Sequence, residues 1–240
     1  MKQRILFLLP VVVLLGGCQC SSPPPREITV LPDMSASIDP QARQQMFAAI
    51  NDVAFHLRRG DTLTIIPITG DADAELQGRT LHYDVPLAEN RMVYDADLRK
   101  LNAKISDDLA HLGASALTRP EPHTDILGSI RIAMKEFSTK ETDKHLVVLS
   151  DFIQEDQQFD FRRDPRFKQQ CDESKIPIDG NSDIEATPSV KIFLGRLKSD
   201  EFTKLDLQRR SAIEDFWKRA TKTDGIDPDG PADLPHKLHQ

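Results

Sequence analysis

The chain has 240 residues, with 38 Asp and Glu against 31 Lys and Arg and a formal net charge of −7. That acidic balance argues against nucleic acid or an anionic lipid surface as a charge-driven partner. The length remaining after a short leader suffices for one domain of ordinary size with a substantial core.

Lys2 and Arg4 precede an apolar run from Ile5 to Leu15, and Leu15-Gly16-Gly17-Cys18 follows at once. Residues 1–17 therefore read as a secretory signal peptide. The run is short of the roughly 20 residues a membrane-spanning helix needs, and it contains Pro10. The junction resembles a bacterial lipobox, which implies cleavage before Cys18 and acylation of its thiol and amine. Such an anchor exceeds the two-signal requirement for stable membrane retention. Gln19 stands where an inner-membrane lipoprotein often carries Asp. The resemblance thus implies the outer membrane, facing the periplasm, in a source with two membranes, and otherwise the cell membrane surface. Residues 18–26 form the anchor and a stiff Pro-rich spacer. Loss of Lys2 and Arg4 takes the charge from −7 to −9. Cys20 and Cys171 are the remaining cysteines, and they either pair in an oxidising compartment or leave Cys20 free.

From the spacer onward, strand and helix signals alternate. Ile28 to Leu31 is an apolar run closed by Pro32-Asp33, as in a strand buried on both faces. Asp39-Pro40 opens a helix with Met46, Ile50, Val53 and Leu57 on one face, Arg58 and Arg59 at its negative end and Gly60 as its stop. Thr62 to Ile68 is the second strand. Arg79 to Val85 is a third, antiparallel at an edge because its connection is too short for a helical crossover. Leu98, Leu101, Ile105, Leu109 and Leu112 mark a long amphipathic helix, and Leu127, Ile130, Met134 and Phe137 another. His145 to Leu149 is a strongly apolar strand. A long polar segment, Phe152 to Pro188, separates it from the strand Val190 to Leu194. Ile213, Phe216, Trp217 and Ala220 give the final helix, and residues 224–240 read as a flexible tail. The expected fold is α/β, doubly wound, with a mostly parallel sheet, one antiparallel edge strand and helices on both faces. No convincing sixth strand or last helix follows Trp217.

Ligands of such sheets bind beyond the carboxyl ends of the strands, near the point where strand order reverses. Asp33 and Asp151 close strands on that rim, and Thr124 precedes a helix there. With Ser35 and Ser37 they make an all-oxygen set of two carboxylates and three hydroxyls, suited to Mg²⁺ or Mn²⁺ rather than zinc or copper. Asp33-Met34-Ser35-Ala36-Ser37, His123-Thr124-Asp125-Ile126-Leu127-Gly128 and Val147-Val148-Leu149-Ser150-Asp151-Phe152 together resemble the von Willebrand factor type A family. The resemblance spans roughly Glu27 to Ala220, within an expected type A-like domain of residues 27–223. It implies a metal-ion-dependent adhesion site in which Asp33, Ser35, Ser37, Thr124 and Asp151 hold the cation, and a protein partner whose Asp or Glu completes its shell. Pro32 is a departure, since members more often carry an apolar strand residue there.

The expected function is that of a non-enzymatic, cation-dependent interaction domain on a membrane. One alternative is phosphotransfer or phosphate hydrolysis with Asp33 as nucleophile, on an outline resembling the haloacid-dehalogenase-like enzymes. Those want a second Asp two residues on, where this chain has Ser35. Another alternative is a scaffold of the same fold that never loads metal. Asp71, Asp73 and Glu75 imitate a calcium loop, but Leu76 fills the glycine position and His82 the closing Glu position.

Overall fold

The computed structural model describes residues 23–70, 79–119, 121–156, 159–165 and 189–238. Cys18, Cys20, Cys171 and the Asp71 to Glu75 cluster lie outside them. Five strands form one sheet: β1 (Arg26–Pro32), β2 (Thr62–Ile65), β3 (Leu81–Asp84), β4 (Asp143–Ser150) and β5 (Val190–Arg196), in the order β3-β2-β1-β4-β5. The β1–β2, β1–β4 and β4–β5 pairs are parallel, and β3 runs antiparallel to β2 at the edge. The mostly parallel α/β fold is as expected.

Alternation along the two central strands divides the core. Ile28, Val30, Val147 and Leu149 face one side and meet Met46, Ile50 and Val53 of α1 (Pro40–Phe55) and Ile105 and Leu109 of α2 (Arg91–Thr118). Leu31, Leu146 and Val148 face the other and meet Ile126, Ile130 and Ala133 of α3 (Ile126–Glu136). There they also meet Ile213, Phe216 and Trp217 of α5 (Leu207–Thr221). Each such side chain, fully buried, contributes roughly 1.5–3 kcal/mol. A short α4 (Asp200–Lys204) precedes α5, and α6 (Leu234–Lys237) closes the described chain.

Several boundaries differ from expectation for local reasons. Helix α1 starts as read, with Asp39 accepting from the Gln41 and Ala42 amides, but ends at Phe55 rather than near Gly60. The following turn is drawn instead to Asp61, whose buried carboxylate accepts from the Arg58 amide and from the amide, Nε and Nη2 of Arg26. Strand β2 keeps bonding to β1 through Ile66 and Ile68, yet its pairing with β3 stops at Ile65. Pro67 has no N–H to offer on that side.

The stretch read as a flexible tail from Asp224 is docked. The Asp227 amide donates to Leu194 O and Asp227 O accepts from the Arg196 amide, a single parallel bridge where a sixth strand would begin. Leu234 and Leu238 are buried against the α1–α2 side of the core. The start of the long polar segment is anchored as well. Phe159 and Phe161 pack edge-on against Phe216, and Trp217 Nε1 donates to Phe152 O at 2.9 Å.

Candidate metal centre

Strand order reverses between β1 and β4, so the carboxyl ends of these neighbours open the crevice where a ligand can sit. Asp33 leaves β1 there, its amide donating to Leu149 O at 2.9 Å, and Asp151 leaves β4 beside it. Both side chains are wholly buried. Asp33 Oδ1 accepts from the Ser35 amide at 2.8 Å, which curls the loop back at once. Asp33 Oδ2 accepts from Ser150 Oγ at 2.5 Å, and Asp151 Oδ1 accepts from the Ile153 amide at 3.0 Å.

The hydroxyls join the two loops. Ser35 Oγ lies 3.0 Å from Ser37 Oγ, and Ser37 Oγ donates to Asp151 Oδ2 at 2.8 Å. Thr124 comes from a third element. Its amide and carbonyl exchange hydrogen bonds with Glu155, while the Asp125 amide donates to Thr69 O at the end of the β2 path. Ser35, Ser37 and Thr124 all line one cavity of about 170 Å³, with Glu121, Glu155, Arg162 and Glu201 around it. The fold thus gathers the three hydroxyls on one cavity and sets the two carboxylates beneath them.

The electrostatics of this floor are unusual. Burial holds the Asp33 carboxyl above its ordinary range, against the bonds from Ser150 and Ser35 and the charge of Arg43. Burial first, and then the Asp33 charge, push Asp151 up to about 6, against bonds from Ile153, Ser199 and Ser37. Two buried carboxylates side by side are stable as a pair only with a proton or a positive charge between them and solvent. Arg43 is the buried cation nearby, but its Nη atoms are spent on Ser35 O at 2.7 Å and Ala116 O at 2.9 Å. Oxygen donors, negative charge in the floor and neutral hydroxyls on the cavity wall fit a hard dication. Among the described residues no three or more His, Cys, Asp or Glu side chains converge to hold a metal, so a cation here would draw on the hydroxyls as well as the two carboxylates.

Several participants carry no motif of their own. Ser150 Oγ ties Asp33 to the end of β4 and also accepts from the Phe152 amide at 2.9 Å. That bond holds Phe152 at φ 63, in the left-handed region, and so turns the chain away after Asp151. Ser199, at the start of α4, bonds Asp151 from β5's side. Gln154 Oε1 accepts from the Ile126 and Leu127 amides, capping α3 beneath Thr124. Adjacency of Ser150 to Asp151 is the one signal in the sequence for any of these.

No protein-family model matches the chain, and no curated protein is similar to it. Among solved structures, it is similar to proximal thread matrix protein 1 from the mussel byssus, with 12% identity, 90% of this chain and 47% of that one covered, and a TM-score of 0.43. It is similar to a von Willebrand factor type A protein from Catenulispora acidiphila, with 12% identity, 81% and 43% covered, and a TM-score of 0.42. For the human COPII-coat protein Sec24c the values are 14%, 80% and 28%, with a TM-score of 0.48. The chain spans less than half the length of each of these three. Likenesses this loose carry nothing about the site; the fold class rests on the sheet order and the two helix layers described above, and a type A domain stands among its structural neighbours.

Proposed function

We propose that this chain is a membrane-anchored, non-enzymatic interaction domain of the von Willebrand factor type A kind, whose contact with a protein partner depends on Mg²⁺ or Mn²⁺. The reading is carried by one observation: Asp33, Ser35, Ser37 and Asp151 form a continuous hydrogen-bonded set beneath a cavity that Thr124 shares. Ser35, Ser37 and Thr124 would offer hydroxyl oxygens to the cation, and Asp33 and Asp151 would hold it directly or through water. The bound cation would supply a Lewis-acidic point for an Asp or Glu of the partner. Attachment through an acylated Cys18 would place the domain on the outer membrane, or on the cell membrane of a source with one membrane.

The alternative with Asp33 as nucleophile is disfavoured by its surroundings. Ser35 stands two residues on, where that chemistry needs a second Asp as general acid, and its hydroxyl is engaged with Ser37 Oγ. The test is calorimetric titration of Mg²⁺ and Mn²⁺ into the full chain in detergent, beside Asp33→Asn. The wild type should bind and the variant should not, with its melt retained. Equal affinity in both would remove Asp33 from any metal site, and no binding by the wild type would leave the metal-free scaffold.

A further inference from the structure

The parallel strands all begin at the edge of the sheet opposite the candidate metal centre, and the chain enters there through Pro25, whose carbonyl accepts from the Asp143 amide. Beside it, Pro25 and Leu87 flank Gly60. Helix α2 begins just beyond, capped by Asn90. Its antiparallel register with α1 is marked by Ser106 Oγ donating to Asn51 Oδ1 and by Phe47 against Gly113. At about 1.5 Å per residue, Ser106 back to Met92 is about 21 Å and Asn51 on to Phe55 about 6 Å, so the tip of α2 overhangs α1 by about 15 Å.

That tip is apolar where a solvated helix start would be polar. Leu87, Met92 and Val93 are 68%, 81% and 49% exposed. Two arginines stand beside them: Arg59 donates to Leu87 O, and Arg91 stands 94% exposed, only loosely opposed by Asp95 at 3.8 Å. Glu89 on the loop and Asp84 at the end of β3 are exposed acids on the same connection. Exposed apolar side chains with long basic side chains beside them suit the headgroup and acyl boundary of a bilayer.

We infer that this overhanging tip, Leu87, Met92 and Val93 with Arg59 and Arg91, is a membrane-docking surface that seats on the bilayer carrying the lipid anchor. The inference rests on acylation at Cys18. Pro25 lies seven residues after Cys18, a reach of at most about 25 Å even when extended, so this edge is held within reach of the lipid. The tether supplies a high effective concentration, which lets a small patch engage despite the net negative charge of the domain. Docking in this way turns the rim bearing Asp33, Thr124 and Asp151 away from the membrane.

The experiment places a nitroxide at Met92→Cys or, at the opposite end of α2, at Leu117→Cys, which is 67% exposed in the parent. Both are made in the full chain with Cys20→Ser and Cys171→Ser, reconstituted in vesicles of phosphatidylethanolamine and phosphatidylglycerol. The mass of the mature chain reads acylation first, independently of docking. Position 92 should lose accessibility to an aqueous nickel reagent and gain it to oxygen dissolved in lipid, while position 117 stays aqueous. Adding Leu87→Asp and Val93→Asp should return position 92 to water with acylation unchanged. Equal aqueous accessibility of 92 and 117 in an acylated chain overturns docking alone. A chain not acylated at Cys18 overturns the anchor and docking together. Shielding of position 92 that persists in a lipid-free chain beginning after Cys18, without vesicles or detergent, indicates a protein contact and also overturns it.

Discussion

Replacing Asp151 with Asn separates the two roles of this side chain, as an electrostatic burden on the cation-free fold and as a ligand. Asp151 is wholly buried, and its carboxyl is pushed up to about 6 from an ordinary 3.8. A raised carboxyl binds its proton more tightly in the folded state. The penalty for ionising it is therefore absent below about 3.8, grows between 3.8 and about 6, and is complete above that. At about 1.4 kcal/mol per pH unit, the interval amounts to roughly 3 kcal/mol of destabilisation at neutral pH. Asn removes that penalty and keeps an acceptor for the Ile153 amide, but loses one bond from Ser37 or Ser199, about 1 kcal/mol. The net gain of about 2 kcal/mol should raise Tm by about 4–8 °C in chelator at neutral pH. The gain should vanish at about pH 4, where the wild-type carboxyl is protonated. In saturating Mg²⁺ or Mn²⁺ the order should invert, because only the wild type gains stability from the bound ion. Thermal melts of both proteins across pH, with chelator and with cation, make the measurement. A variant less stable than wild type in chelator at neutral pH, or one stabilised equally by cation, would refute the reasoning.

Two further outcomes follow from neighbouring contacts. Thr124→Ala removes a neutral oxygen from the cavity wall, while the backbone pairing with Glu155 that places residue 124 is retained. Cation affinity by calorimetry should fall by less than in Asp33→Asn, with the melt nearly unchanged; a loss as complete as that of Asp33→Asn would show that Thr124 acts through the fold. Arg43→Met strands the buried carbonyls of Ser35 and Ala116 and removes the positive charge beside Asp33. Unfolding in urea should show a loss of roughly 2–4 kcal/mol, and a midpoint equal to wild type would refute Arg43 as the link between the Asp33 loop and α2.

Much of the scaffold was legible in sequence because its signals are local. Asp39-Pro40 carries a cap and a fixed φ in adjacent residues, and the structure begins α1 there. His145 to Leu149 is apolar enough to demand burial on both faces, and β4 contains it. The docked tail escaped because Leu234 and Leu238 lie within a stretch dense in Asp, Pro and Gly. Their burial depends on α1 and β5 being already in place. Likewise, nothing near Ser199 or Gln154 in sequence points to Asp151 or Thr124.

By itself, then, the sequence determined what chemistry was on offer: oxygen donors in Asp33, Ser35, Ser37, Thr124 and Asp151, each beside a strand end or helix start whose periodicity and turn residues are short-range properties. Tertiary structure alone decided how that chemistry is arranged. Placing β4 against β1 sets Asp33 and Asp151 side by side with solvent excluded, so that burial raises both carboxyls and the Asp33 charge raises Asp151 further. It also brings Ser150, Ser199 and Arg43 from three separate elements to stabilise them. Those are long-range effects of distance and dielectric, set by the positions of strands far apart in the chain rather than by the residues beside them.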